Sequence, residues 1–291
     1  MCRWLAYSGS PILLEDALYA PAHSLLDQSL HARRGATTTN GDGFGVGWYG
    51  PGAIPALFRA TEPAWSDANL HELAAQTTTP LFFAHVRAST GTAVQRTNCH
   101  PFRHGRWLFM HNGLIDDFGS VKRDLLLDVD PSLFAAIEGQ TDSELLFHLA
   151  LTLGLEDDPP AAVAAAVGLV EAAGRRRGSE RPVRMALATT DGERIWAFRY
   201  SSKGDSPSLH LTADVPSLRR LYPSMAVLER LSDETHVIVS EPLGDPHGAW
   251  HEVPEARCVV VAGSSVDIVP FAPRRSSRSQ RPAHLAGTRP A

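Results

Sequence analysis

Arg184–Tyr200, RMALATTDGERIWAFRY, consists of two alternating apolar and polar runs that meet at Asp191-Gly192. An Asp-Gly pair between such runs is a strong signal for a two-residue hairpin, because the tight turn needs backbone conformations that Asp and Gly tolerate. A hairpin joins antiparallel neighbours, so this stretch decides the sheet type. Further strands are expected at 208–212, 235–240 and 257–262. Upstream, Thr141 is placed to cap a helix running to about Leu153, with Asp142 and Glu144 in its first turn. A second helix is expected over Pro160–Ala173, stopped by Gly174. The first half is rich in strand candidates. These are residues 2–8, ending in a turn at Ser8-Gly9-Ser10-Pro11, then Phe44–Tyr49, Leu81–Ala88, and Trp107–Met110 followed by a polar turn at His111-Asn112-Gly113. Strands, then helices, then strands again indicate a layered, antiparallel α+β protein rather than a doubly wound parallel sheet.

With 291 residues and 43% apolar content, the chain can bury a sizeable core. The expected division is a folded domain over residues 2–272 and a disordered Arg/Ser/Pro-rich tail over 273–291. The formal charge is −5, yet the last twenty residues hold five arginines and no acid, so the body is more acidic than the total suggests. That balance argues against nucleic acid as a partner. No apolar run is long enough for a secretory signal or a membrane span. The three cysteines, Cys2, Cys99 and Cys258, form neither a C-x-x-C pair nor a disulfide framework. A cytoplasmic protein with no cofactor is expected.

Cys2 becomes the N-terminal residue once Met1 is removed, which would place a thiol and a free α-amine on one residue. Their unperturbed pKa values, about 8.5 and about 7.7–8.0, allow the amine to take the thiol proton. Asn40–Trp48, NGDGFGVGW, is dense in glycine, and Gly45, Gly47 and Gly50 formally satisfy G-x-G-x-x-G. The context is wrong for a dinucleotide, because a strand carries the glycines and Pro51 follows. A loop entering a strand, with glycines admitting a close neighbour, fits better. Arg87 ends an apolar strand. It is either paired with a carboxylate of the chain, the simpler reading of that segment alone, or a fork for a substrate carboxylate. His100 and His104 stand four apart, but Pro101 breaks the helix that would align them on zinc. Cys99 and Cys258 are expected to be buried thiols. Asn112-Gly113 could direct a side-chain amide and a backbone N–H at one developing negative charge, or form an ordinary turn. Asp142 could likewise serve only the helix N-terminus.

Taken in order, Met1-Cys2-Arg3, Asn40-Gly41-Asp42-Gly43, Arg87, Asn98-Cys99-His100-Pro101, His111-Asn112-Gly113 and Thr141-Asp142-Ser143-Glu144 resemble the class II glutamine amidotransferases. These are N-terminal-nucleophile hydrolases, and the resemblance implies a four-layer αββα sandwich of two antiparallel sheets between helices. It implies Cys2 as nucleophile, Asn112 and the Gly113 N–H as oxyanion hole, and Arg87 and Asp142 as the groups holding a glutamyl carboxylate and ammonium. The implied reaction is hydrolysis of a γ-glutamyl amide through a cysteine thioester. After Arg87 the chain reads Ala-Ser-Thr-Gly, where members that feed sugar synthases resemble Arg-Trp-Ala-Thr-His, and no synthase segment follows. A free-standing hydrolase, or one subunit beside a peptidase or synthase partner, is therefore expected. The motif wording looks nearest to the amidotransferase-like subunits of glutathione degradation. A second branch, the ergothioneine-pathway hydrolases of γ-glutamyl-hercynylcysteine sulfoxide, also begins Met-Cys-Arg. A scaffold subunit without turnover of its own is the reading from another class.

Overall fold

The computed structural model describes residues 2–33, 39–89, 91–244 and 248–274. The expected disordered tail falls almost wholly outside these residues. In chain order the strands are β1 (Arg3–Leu13), β2 (Phe44–Trp48), β3 (Ala56–Ala60), β4 (Thr78–Val86), β5 (Phe102–His104), β6 (Trp107–Ile115), β7 (Val183–Thr190), β8 (Arg194–Ser201), β9 (His210–Thr212), β10 (His236–Val239), β11 (Trp250–Glu252), β12 (Arg257–Ala262) and β13 (Ser265–Pro270). The α-helices are α1 (Leu14–Leu18), α2 (Leu25–His31), α3 (Ala68–Gln76), α4 (Phe118–Leu126), α5 (Asp142–Thr152), α6 (Pro159–Arg176), α7 (Val215–Leu221) and α8 (Ala226–Arg230).

The strands form a seven-stranded sheet, β11-β9-β10-β1-β4-β2-β3, and a six-stranded sheet, β13-β12-β8-β7-β6-β5. The paired strands are antiparallel in both. Side-chain alternation sorts the core into three slabs. On β1, Leu5 and Tyr7 pack with Leu14, Leu25 and Leu70 from helices α1–α3. Trp4 and Ala6, one residue out of phase, pack against Met110, Ala186 and Ala188 of the other sheet. On β6 and β7, Phe109, Met185 and Leu187 turn to the opposite face, against Val121, Leu146 and Val167 of helices α4–α6. Helix, sheet, sheet, helix is the expected four-layer order.

The hairpin at Asp191-Gly192 joins β7 and β8, with Gly192 at φ 92°. Thr141 caps α5 by accepting from the Glu144 N–H at 3.1 Å. The Glu144 carboxylate does not close a capping box on Thr141. It accepts from the Glu138 and Gly139 N–H groups, which pins the preceding loop instead.

Three local expectations are corrected. The turn expected at Ser8–Pro11 is strand, because β1 continues through it, with a shift of register against β4 between Ser8 and Ile12. Such an irregularity is where a strand can carry a proline that lacks an N–H. The polar turn expected at His111–Gly113 is also strand. Asn112 pairs with Ala186 and Gly113 with Met185, and this long ladder overrides the local turn preference of Asn-Gly. Gly174 does not stop α6, which runs on to Arg176. A Cβ at Gly174 would lie 2.7 Å from the Pro182 Cβ, so this glycine permits close packing rather than ending the helix.

Candidate active site

Cys2 stands immediately before β1, and alternation with Trp4 and Ala6 places it on the face between the sheets. The Ala88 N–H donates to its Sγ at 3.4 Å, and the thiol lies 3.5 Å from the Ala88 oxygen. Burial pushes its pKa up, opposed by that backbone N–H and by the charges of Arg87 and Arg3. The next residue anchors it. Arg3 donates through Nη1 to the Cys2 carbonyl at 2.9 Å and through Nε to Glu241 at 2.7 Å. Glu241 also receives His23 Nε2 at 2.7 Å and the Arg33 N–H at 3.0 Å. Burial alone would raise the Glu241 pKa, yet the His23 hydrogen bond and the Arg3 charge hold it at about 2. The same contact, with Asp27 on the other ring nitrogen, raises the His23 pKa despite burial.

Asn112 comes from the facing sheet, in phase with Leu108 and Met110, so its side chain also faces the seam. Among the described residues its amide makes no hydrogen bond. Strand N–H groups alternate in direction. The Asp116 N–H reaches Pro182 on the β7 side, whereas the Ile115 N–H goes to the Asp142 carboxylate at 2.8 Å. Gly113, two residues before Ile115, thus directs its N–H away from β7. On that side β5 pairs only with Trp107–Phe109, leaving the β6 edge open. A Cβ at Gly113 would fall 2.0 Å from the Arg184 carbonyl oxygen and 2.5 Å from His111 Nε2. Only glycine fits there.

Arg87 follows β4 and is buried, at 3% exposure. It donates to the Asp42 carbonyl at 3.3 Å, to Ser89 Oγ at 3.1 Å and to Thr92 Oγ1 at 2.6 Å. All three acceptors are neutral. Among the described residues no carboxylate pairs with it, so the simpler reading of this arginine, a pairing within the chain, is not what the fold provides. Asp142 opens α5. Its carboxylate accepts from the N–H groups of Ser143 and Ile115, both at 2.8 Å. His111 joins the same group through Ser143 Oγ at 2.8 Å. Burial lowers the His111 pKa, although Asp142 opposes the shift. His85 and His100 stack with ring centroids 4.2 Å apart. Burial brings His85 to about 3, and burial and the neighbouring histidines take His100 well below its usual value. The three imidazoles are neutral at pH 7.

Cys2, Arg87, Gly113 and Asp142 line one cavity of about 540 Å³. A smaller one of about 70 Å³ shares Cys2, Ala88, Gly113 and Leu114 with it, and adds Asn112, Arg184 and Pro207. The five candidate residues therefore meet at one thiol, set where the two cavities join. Cys99 and Cys258 are buried and free. Gly45, with His100 O 2.4 Å from its would-be Cβ, fits the close-approach reading of the glycine-rich segment. Among the described residues no cluster of three His, Cys, Asp or Glu is placed to hold a metal ion, and no helix is long and apolar enough to cross a membrane. Arg3 was visible beside Cys2, but Glu241 lies 238 residues away and leaves no local trace of the pairing. Arg184 sits in the hairpin stretch as an ordinary strand residue.

Comparison with known proteins identifies the family. Residues 17–284 match the family of class-II glutamine amidotransferases, a span that begins after Cys2. The chain is 35% identical to the probable glutamine amidotransferase DUG3 of Saccharomyces cerevisiae, over 93% of this chain and 84% of that protein. It is 28% identical to the gamma-glutamyl-hercynylcysteine sulfoxide hydrolase of Mycolicibacterium smegmatis, over 93% of this chain and 100% of that one. Among solved structures it superposes on a glutamine aminotransferase class-II domain protein from Silicibacter pomeroyi with a TM-score of 0.71 and 32% identity, covering 94% of this chain and 100% of the other. By sequence span and fold, the chain belongs to the class-II glutamine amidotransferase family.

Proposed function

We propose that the protein hydrolyses a γ-glutamyl amide, glutamine or a γ-glutamyl peptide such as glutathione, and releases glutamate. One observation carries the reading. Arg87 is a buried cation met only by neutral oxygens, and it lines a cavity shared with a thiol and a carboxylate. A buried charge calls for an opposite one, and a glutamyl α-carboxylate supplies it as a two-pronged partner. Asp142 then takes the α-ammonium. With both ends of the amino acid held, the δ-carbonyl is set at Cys2.

In this mechanism Met1 has been removed and the α-amine of Cys2 takes the thiol proton. The thiolate attacks the δ-carbon, and the resulting oxyanion is held by the Asn112 amide and the Gly113 N–H. The ammonium passes its proton to the leaving nitrogen, the C–N bond breaks, and a thioester remains. Water then attacks the thioester, the amine takes its proton, and glutamate departs with the thiol restored. The neutral buried histidines contribute no charge to this cycle.

The test is glutamate release from glutamine, glutathione and γ-glutamyl-hercynylcysteine sulfoxide by wild type and Cys2→Ala. The variant should lose turnover, and undiminished activity in it would sink the mechanism. The conjugate is included because the M. smegmatis relative is named for it. Activity that appeared only with co-purifying proteins would instead favour a subunit that depends on a partner.

A further inference from the structure

Two cavities meet at Cys2, and a substrate held there would span both. The larger holds Arg87 and Asp142, the partners of the glutamyl end. The smaller lies past the thiol, with Arg184 and Pro207 on its wall, where the leaving amine would project. Its 70 Å³ admits only the first few atoms of a leaving group. What those atoms carry must then meet the rim.

Arg184 is built into that rim. On β7 it is in phase with Ala186 and Ala188, so its side chain stands on the seam face, paired across with Leu114 one step beyond Asn112. Its side chain is 32% exposed. The Nε donates to the Asp205 carbonyl at 3.0 Å and lies 3.6 Å from the Asp205 carboxylate. Arg181 takes the same carboxylate at 3.3 Å, and Ser201 donates to it at 3.0 Å. Two guanidiniums thus share one carboxylate. Among the described residues the two Nη groups of Arg184 have no hydrogen-bond partner.

We propose that Arg184 recognises the leaving group and makes the site selective for γ-glutamyl compounds whose released amine carries a carboxylate, as the C-terminus of a short peptide does. Glutamine, which releases ammonia, offers it nothing. This inference rests on the γ-glutamyl hydrolase reading and adds the substrate class to it. Free Nη groups suit a carboxylate because the planar fork can donate two parallel hydrogen bonds. Recognition of this kind is worth about a factor of ten or more in kcat/KM.

A matched pair of substrates tests it: γ-glutamylglycine and γ-glutamylglycinamide, which differ only by a charge at the far end. Wild type should prefer the acid by about tenfold. Arg184→Gln should bring the ratio close to one, chiefly through a higher KM for the acid, and Arg184→Lys should retain part of the preference. Equal kcat/KM for the two substrates in wild type would overturn the inference without any variant. So would a preference that survives in a folded Arg184→Gln. If wild type cleaved neither compound nor glutamine, the hydrolase reading itself would fall, a result distinct from equal cleavage of both.

Discussion

Asn112 is a buried amide with no hydrogen bond among the described residues, on the same seam face as the thiol and in the same small cavity. Its amide opens onto that cavity, where it can meet the oxyanion of the proposed reaction. Asn112→Ala should therefore lower kcat by about a hundred- to a thousandfold, with far less change in KM. A loss confined to KM would show that the amide binds substrate rather than the transition state. At this scale the candidate residues were legible in the sequence wherever a local motif carried them, and the fold brings Cys2, Arg87, Asn112, Gly113 and Asp142 to two cavities that join. Residues were illegible where partners come together from afar. Glu241 and Arg184 look like any strand-end charge until the sheets are assembled.

Among the elements, β1 bears the most, since it is the central strand of its sheet and starts directly after Cys2, the proposed nucleophile. Its first residue, Arg3, is tied to Glu241, which follows β10, and through Glu241 to His23, which precedes α2. The Glu241 pKa falls from 4.5 to about 2 on folding. A depressed carboxyl pKa means stability that is present above 4.5 and lost as pH falls from 4.5 towards 2. That difference corresponds to about 3 kcal/mol. His23 works the other way, because its raised pKa favours the fold below 6.5 and ceases to do so as pH rises through the folded value. Glu241→Gln should destabilise by about 3–5 kcal/mol at neutral pH, since it takes away the buried carboxylate that both Arg3 and His23 meet. It should also flatten the decline of Tm below pH 4.5. Parallel Tm–pH curves for variant and wild type would contradict this linkage. The helices α5 and α6 and the β7–β8 hairpin were visible from capping and alternation. The short elements, such as β3, β5, β11 and α8, draw their stability from the neighbours they pair with, and carry too few residues to show a period.

For the whole molecule, antiparallel layering followed from the hairpin and the order of elements, and the four-layer order followed from the family resemblance. What no local reading could give is how the two sheets sit face to face. Cys2 and Arg87 flank strands of the seven-stranded sheet, Asn112 and Gly113 belong to the six-stranded one, and Asp142 to the helix layer beyond it. The site straddles a seam, so its geometry depends on how closely the sheets approach. Ala6, Ala186, Ala188 and Ala197 are all fully buried in that seam. Ala186→Leu would wedge the sheets apart, at about 1–3 kcal/mol of overpacking. It should reduce kcat more than Tm alone implies, although residue 186 lines neither cavity. An unaltered kcat in the folded variant would show that the seam yields without moving the thiol. What spaces Cys2 from Asn112 and Gly113 across the seam is, in this protein, a row of methyl groups.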